Sequence, residues 1–445
     1  MGRIEDRQQV AARTAGEGAE NPYGASRLAQ WGVADRQLTG AERWLCFAAM
    51  FVFGTFCMYQ NVMVAPILTQ VGAAFGVGLG SVGLVQSLYA VAGLVLAYPA
   101  AGIMRGLGIK FSLLVATLLT LLGSVFALLS SSWGMFLVAR VFQGCGFGFV
   151  PVLGASIMPR VFPGEKMGLV MGIWAQWVVP GTIIGALSTP ALFSAFGWQS
   201  VFVLSTALQI VATVLLVLFI KMPAVPENVL ASAGGEGSAQ RGPVFFGSAL
   251  VVALMMVPWN ALFGAFNTYY PTYVQDVQGM ALFPASMTTM VTAVVTAPFG
   301  IAAGVISSKV RQRKLMMIAG FAVTAVLFAT FMWGMTANPA LSWVASVLFG
   351  AVCCAIVPTL IVSYIPVLAK DPKKTDYAMA TLAFGTQVGY FIVALFGSIA
   401  SAADFHVAAL VFGVPICIAA IVALLFVKGD RKAAGYSPSN SGVEK

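Results

Sequence analysis

The chain has 445 residues, of which 59% are hydrophobic and only 9% are charged, and its mean hydropathy is +0.91. A soluble domain carries roughly 25% charged residues, so this composition excludes a water-soluble globular protein. The net charge of +9 does not indicate nucleic acid binding, because the cations follow the pattern of a membrane protein.

That pattern is an alternation of basic and non-basic loops. Apart from Arg140, every Lys and Arg lies in a terminal tail or in every second loop between apolar runs. This is the positive-inside distribution. We therefore expect a multi-pass protein of the cell (inner) membrane with both termini in the cytoplasm, whose partner is the lipid bilayer.

Twelve apolar runs follow a polar amino-terminal tail, residues 1–43. Each is about 20 residues long or longer, as a helix that crosses a bilayer requires, and strand patterns are absent. The sequence thus predicts an all-α integral membrane protein. The predicted spans are residues 44–66, 81–104, 111–131, 134–158, 167–190, 198–220, 245–272, 284–307, 314–335, 341–366, 377–400 and 405–427.

The two groups of six spans repeat one another. Residues 150–159, VPVLGASIMP, match residues 357–366, VPTLIVSYIP, at five of ten positions, and the pair Pro66 and Gln70 recurs as Pro271 and Gln275. Tandem halves are typical of transporter folds. We predict two pseudo-symmetric six-helix bundles at residues 44–220 and 244–428. A cytoplasmic linker, residues 221–243, connects them, and a cytoplasmic tail, residues 429–445, follows the second bundle.

The fourth span contains the one cation inside an apolar run, Arg140. An arginine at bilayer depth costs about 2.5–3.5 kcal/mol, so it normally faces a protein interior or a watery cavity. Gln143 and Gly144 share its helical face. Gly144 and Gly148 form a GxxxG pair, which permits close approach of another helix.

Residues 140–146, RVFQGCG, resemble the fourth-helix signature R-x-x-Q-G-x-G of the major facilitator superfamily. Residues 197–202, GWQSVF, resemble the G-W-R-x-x-F that opens its sixth helix, with Gln199 in place of arginine. The resemblance covers residues 44–428, and it implies twelve transmembrane helices that work by alternating access. A fainter likeness to the cyanate-transporter branch runs from Phe142 to Leu192, although that branch's first-helix arginine is absent.

The family's loop pattern after the second helix, G-x-L-x-D-R-x-G-R-K, is kept only in part. Its acidic position is occupied by Arg105 in the first half and by Ser308 in the second. Both loops therefore lack the acid that the gating salt bridges of the family use. The candidate gating residues that remain are Gly108, Lys110, Gly304 and Lys309.

The resemblance implies a substrate site between the halves, near the middle of the bilayer. Polar and aromatic residues of the spans that can be placed there are Arg140, Gln143, Gln60, Asn61, Gln176, Trp177, Asn260, Asn267, Gln387 and Tyr390. For each amide, an interhelical hydrogen bond is the alternative to a substrate contact. For Trp177 the alternative is packing against helices or lipid.

Two interpretations of Arg140 stay open. Its guanidinium, with five N–H donors, can bind a carboxylate or a similar anion. Alternatively, because family members with unlike substrates share this arginine, it hydrogen-bonds carbonyls of a neighbouring helix.

No Asp or Glu lies at membrane depth, and the only histidine, His406, lies at the outer rim. Proton-driven carriers commonly use a buried carboxylate or histidine. We therefore predict a secondary carrier that moves a small anionic solute by exchange or uniport. Proton-coupled efflux of an apolar or cationic compound is the alternative.

A membrane enzyme or a transporter-like sensor is disfavoured. The spans contain no HExxH motif, no Ser/His/Asp set and no Cys/His cluster. We expect no enzyme activity, cofactor, metal or nucleic acid partner, and a monomer suffices for the predicted carrier.

Overall fold

The computed structural model describes residues 33–34, 36–162, 170, 173–222, 247–309, 312–334, 338–369 and 372–427. Most of the predicted amino-terminal tail, the linker beyond residue 222 and the carboxyl-terminal tail lie outside these residues. The boundaries predicted for those segments therefore remain predictions.

Six long helices form the first half. They are α1 (Gly40–Val62), α2 (Leu84–Leu107), α3 (Ile109–Leu128), α4 (Trp133–Val161), α5 (Val178–Phe196) and α6 (Gln199–Phe219). Shorter elements connect α1 to α2 and precede α5: the 3₁₀ turn Ala65–Ile67, the helices Leu68–Ala74 and Leu79–Val82, and the 3₁₀ turn Ala175–Trp177.

The second half repeats this order with more irregular helices. They are α7 (Met256–Asp276, preceded by Ser248–Leu254), α8 (Leu282–Lys309), α9 (Arg313–Val326, continued by a π-helical turn Leu327–Met332), α10 (Pro339–Phe349, a π-helical segment Gly350–Ile356, and Val357–Ala369), α11 (Pro372–Phe391 with Val393–Ala402) and α12 (Phe405–Ala408, a π-helical turn Ala409–Gly413, and Val414–Leu425).

Within the described residues, eleven helices are long and apolar enough to cross a membrane, and a shorter apolar stretch, Leu79–Gly93, comprises the helix Leu79–Val82 and the first turns of α2. The prediction of an all-α, twelve-helix membrane protein is confirmed. One predicted span ends too early. Helix α5 continues through Pro190 to Phe196, and Gly197, with a φ of 80°, follows its end.

Helix α1 ends at Val62, four residues before the end of its predicted span. Pro66 has no N–H to donate to the carbonyl four residues earlier, that of Val62, and the chain turns into Ala65–Ile67 instead. The N–H of Met63 still bonds to the carbonyl of Tyr59 (2.8 Å). The carbonyls of the last turn of a helix lack backbone donors, so other groups must satisfy them.

The helix ends define two faces. Arg43, Lys110, Arg160, Lys221 and Lys314 lie at the ends on one side, which we name the basic face. The other side is the opposite face. The positive-inside rule predicts that the basic face is cytoplasmic.

The halves pack together through α2 with α11 and through α5 with α8. Gln275 donates to the carbonyl of Pro66 (3.0 Å), and Gln70 donates to the Oε1 of Gln275 (3.4 Å). The hydroxyl of Ser87 donates to the carbonyl of Phe391 (2.8 Å). These contacts, which lie toward the opposite face, are named the seam. The repeated glutamines that the sequence revealed thus meet each other across it.

Tyr269 of α7 fills the seam. Its side chain is completely buried, and a Cβ atom at Gly83 or at Gly397 would overlap its hydroxyl. Gly83 begins α2 in the first half, while Gly397 belongs to α11 in the second. Closure at the opposite face therefore depends on two glycines that leave room for one ring.

Replacing Gly83 with alanine is expected to separate the halves at the opposite face, because the added Cβ would overlap the Tyr269 hydroxyl and lie 3.2 Å from the Cα of Ala394 on α11. Spin labels at Ser131 and Ala403, both exposed, would report longer distances by double electron–electron resonance.

Gly78→Ala is the matched control, since Gly78 has a φ of −82° and no heavy atom within 4 Å of the added Cβ. An unchanged distance distribution in Gly83→Ala would contradict the role of the glycine.

Candidate functional site

Arg140 lies at the centre of a buried polar network in the first half. Its guanidinium is completely buried. Nη1 donates to the carbonyl of Gln60 (2.8 Å) and to the Oε1 of Gln143 (2.6 Å). Nε donates to the carbonyl of Val85 (3.3 Å), and Nη2 donates to that of Asn61 (3.5 Å). In this conformation the guanidinium contacts main-chain oxygens, as the second interpretation of Arg140 describes.

Two of these carbonyls belong to the broken end of α1. Gln60 and Asn61 occupy its last turn, where carbonyls have no backbone donor and the helix dipole favours a cation. The ring of Tyr89 adds a cation–π contact, with its centroid 4.6 Å from the guanidinium carbon of Arg140. Arg140 therefore caps α1 at the point where Pro66 interrupts it.

The rest of the network extends this cap to α3 and α6. Gln143 donates to the hydroxyl of Ser124 (3.2 Å), and Gln60 donates to those of Ser124 (2.7 Å) and Ser205 (3.1 Å). Gln86 donates to the Oδ1 of Asn61 (3.2 Å). Four predicted site residues are thus brought together, but inside the first half and without exposure to a solute path.

Trp177 and Gln176 lie on the 3₁₀ turn before α5. The Trp177 ring packs against Gly54 of α1 and lies 5.9 Å from the ring of Phe147. The Trp177 carbonyl accepts a hydrogen bond from the hydroxyl of Thr55 (3.4 Å). Gln176 is half-buried. Trp177 therefore packs against α1 and also contacts the ring of Phe147.

Asn260 and Asn267 share one face of α7, as their spacing predicts, but each amide bonds within its own helix. Asn260 donates to the carbonyl of Met256 (2.9 Å), and Asn267 donates to that of Phe263 (3.0 Å). Asn260 also packs closely against Gly389 of α11. In this conformation both amides therefore hydrogen-bond to the backbone of α7.

Gln387 and Tyr390 lie on α11, where it meets the first half. A Cβ atom added to Gly93 on α2 would lie 3.3 Å from the Nε2 of Gln387. The buried Oε1 of Gln387 has no hydrogen-bond partner among the described residues. The Tyr390 ring lies 6.3 Å from that of Phe263. These residues stand at the boundary between the halves, and their contact with a substrate stays a prediction.

The candidate gating residues lie near the basic face. Gly108 joins α2 to α3 with a φ of 88°, which favours glycine, and Lys110 is half-buried at the start of α3. Gly304 lies on α8 near Thr359 of α10. Lys309 is the last residue of α8, and its side chain is outside the described part. Their gating role stays a prediction.

Sequence reasoning missed the aromatic residues around these positions, which are Tyr89, Phe147, Trp259 and Phe263. The one signal present was the spacing of four between Trp259 and Phe263, which places both rings on one helical face. Tyr89 and Phe147 come from different helices, and no spacing relates them.

Arg140→Gln is expected to destabilise the first half by about 1.5–3 kcal/mol, the typical contribution of hydrogen bonds to a charged group, because the end of α1 loses its cap. A lower midpoint of thermal unfolding in detergent would measure this effect.

Arg160→Gln on the same helix is the control. Arg160 is half-buried near the basic face and donates to the carbonyl of Ser156, in its own helix (3.0 Å). Equal loss of stability in both variants would refute the capping role of Arg140.

Comparison with known proteins shows which proteins this chain is similar to. A family model described as Major Facilitator Superfamily matches residues 49–374. The chain is similar to the uncharacterized MFS-type transporter Rv1250 of Mycobacterium tuberculosis, with 28% identity over 185 residues, 42% of this chain and 32% of that protein. It is also similar to the probable nitrate transporter NarT of Staphylococcus aureus, with 25% identity over 158 residues, 36% of this chain and 40% of that protein. The matches span about a third to two fifths of the length of these relatives.

Solved structures share the fold. The crystal structure of a D-xylose–proton symporter has a TM-score of 0.68 and 15% identity, covering 88% of this chain and 99% of that one. A bacterial homolog of the human lysosomal transporter Spinster, inward-facing and unoccupied, has a TM-score of 0.67 and 14% identity, covering 87% and 96%. These likenesses show the fold alone.

The named proteins are transporters, in agreement with the prediction that the chain is not an enzyme. The family model extends over most of the membrane helices, from α1 to the start of α11. The chain belongs to the Major Facilitator Superfamily.

Proposed function

We propose that this chain is a secondary carrier that moves a small anionic solute across the cell membrane by alternating access, through exchange or uniport. One observation carries the preference for an anion: the charge of Arg140 is buried without an acidic partner. Its acceptors are neutral oxygens. The acids in the described part of the chain lie at or near helix ends, and they are Glu42, Asp276, Asp376 and Asp404.

The charge would act through its field rather than by contact. For an anion roughly 10 Å from the guanidinium and an effective dielectric constant of about 20, the attraction is about 1.7 kcal/mol, roughly a 10- to 20-fold gain in affinity. A buried arginine that caps a helix can therefore still select for negative charge.

Alternating access would use the two halves as its moving parts. The seam holds them together at the opposite face, and its described contacts are amides, a hydroxyl and a tyrosine ring. With the basic face cytoplasmic, this conformation is closed to the outside. Opening the seam and closing the basic face would move the site across the membrane. One chain contains both halves, so a monomer suffices.

Two further observations support an anion that moves by exchange or uniport. The sequence has no Asp or Glu at membrane depth, where a proton relay would need one. The relative NarT is named for nitrate, a small anion. The termini would then lie in the cytoplasm, as the cation pattern predicts.

Exchange of nitrate, oxalate and succinate should be measured in proteoliposomes of the purified chain. We expect saturable exchange, with half-saturation concentrations raised roughly tenfold in Arg140→Gln and much less in Arg140→Lys. Both variants weaken the cap of α1, but lysine keeps the charge. Half-saturation does not depend on the fraction of protein that folds.

Equal half-saturation concentrations in the two variants would exclude attraction by the Arg140 charge. Competition by amphiphilic cations, with no exchange of any anion, would instead favour proton-coupled efflux of an apolar or cationic compound.

A further inference from the structure

We propose that two rows of aromatic side chains line the solute path and that the carried anion is a planar aromatic carboxylate. This inference rests on the proposed function and names the substrate class of the same site. Ring geometry carries the aromatic part of the inference, and the carboxylate part rests on the charge of Arg140.

The first aromatic row belongs to the first half. Ring centroids of Tyr89 and Phe147 are 5.2 Å apart, those of Phe147 and Trp177 are 5.9 Å apart, and those of Trp177 and Trp174 are 6.2 Å apart. The row starts on α2 just below the seam, because Tyr89 lies two residues after Ser87. It then crosses α4 and reaches the turn that precedes α5, toward the basic face.

The second aromatic row belongs to the second half. Tyr390 of α11 contacts Phe263 of α7, and Phe263 stacks on Trp259 with centroids 5.1 Å apart and planes 10° apart. The indole N–H of Trp259 donates to the carbonyl of Cys353 (2.6 Å) in the π-helical segment of α10. Such segments are frequent at functional sites. This row also starts just below the seam and continues toward the basic face.

The two rows lie beside the helices through which the halves pack. The halves meet at α2 with α11 and at α5 with α8. The first row runs between α2 and α5, and the second runs from α11 to α10, which packs on α8. Tyr89 and Tyr390 lie between two contacts that join the halves. The hydrogen bond from Ser87 to Phe391 is on the side of the opposite face, and the contact of Gln387 with Gly93 is on the side of the basic face.

Three of the seven rings have accessible surface to offer, whereas those of Tyr89, Trp174, Trp177 and Tyr390 are buried. Phe147, Trp259 and Phe263 are only half-buried, although they take part in ring contacts. A planar ring placed between such rows would make stacked or edge-to-face contacts, each of which improves affinity roughly two- to tenfold beyond the burial of area. A saturated ring of similar size buries the same area without that gain.

Charge decides between aromatic anions and aromatic cations. Aromatic faces attract cations by themselves, but the buried guanidinium of Arg140 lies directly behind Tyr89. Its field opposes a cation and favours a carboxylate at that end of the path. A ring with one carboxylate satisfies both the rows and the charge.

The test compares benzoate with cyclohexanecarboxylate, which has the same charge and number of carbons but no aromatic ring. Isothermal titration of the purified full chain in detergent should give a dissociation constant about three- to tenfold lower for benzoate. Phe263→Leu should remove most of this preference while retaining affinity for cyclohexanecarboxylate. Phe147→Leu tests the other row if Phe263→Leu does not fold.

Phe142→Leu is the matched control. Phe142 also lies on α4 and its ring pairs with Phe126 of α3 at 5.4 Å, but it belongs to neither row. The preference for benzoate should persist in this variant.

Several results would overturn the inference while leaving the carrier proposal intact. Equal affinity for the two acids, or no binding of either while oxalate or nitrate still exchanges, would do so. Tighter binding of benzyltrimethylammonium than of benzoate would overturn the charge assignment within it. Absence of exchange for every anion would be a failure of the proposed function itself.

Discussion

The interaction on which the first half depends is the contact between the Arg140 guanidinium and the broken end of α1. Pro66 interrupts the first apolar stretch, Gly40–Ala74, and an unsatisfied backbone group within a bilayer costs several kcal/mol. The insertion cost of an arginine, about 2.5–3.5 kcal/mol, is comparable to what the cap recovers at Gln60 and Asn61. The break in turn directs Ala65–Ile67 and Gln70 toward the second half. Arg140 thus accommodates the bend by donating to the carbonyls of Gln60 and Asn61, and the bend brings Gln70 to the seam.

This contact also explains how one side chain can be structural and still influence the solute. A salt bridge would satisfy the guanidinium and cancel its charge, whereas carbonyl and amide oxygens satisfy its donors and leave the charge in place. In this conformation the donors of Arg140 are occupied as the second interpretation describes, and the attraction proposed for the carrier is a different effect from the direct contact of the first. Contact and field are separate quantities: burial removes the contact with a solute in this conformation, but a low-dielectric surrounding preserves the field of Arg140.

The fold follows from sequence because hydropathy, span length and charge alternation are properties of local segments. The repeat of Pro66 and Gln70 as Pro271 and Gln275 is also visible in the sequence, but the bond between the two glutamines depends on how the halves are placed. Spacing predicted the shared face of Asn260 and Asn267, whereas the bonds of their amides to their own helix are rotamer choices. Tyr89, Phe147 and Trp177 meet from three segments, so no periodicity predicts their cluster.

The pseudo-symmetry of the halves holds for the path of the helices and not for their chemistry. At the offset of the repeat, Arg140 and Gln143 correspond to Val347 and Gly350. Where α4 carries a charged network, α10 carries a π-helical segment whose Cys353 carbonyl accepts from Trp259. In the proposed carrier, the field across the solute path is therefore one-sided. A carboxylate would face the first half and its ring would lie toward the second, so a symmetric frame would bind an asymmetric solute in a single orientation.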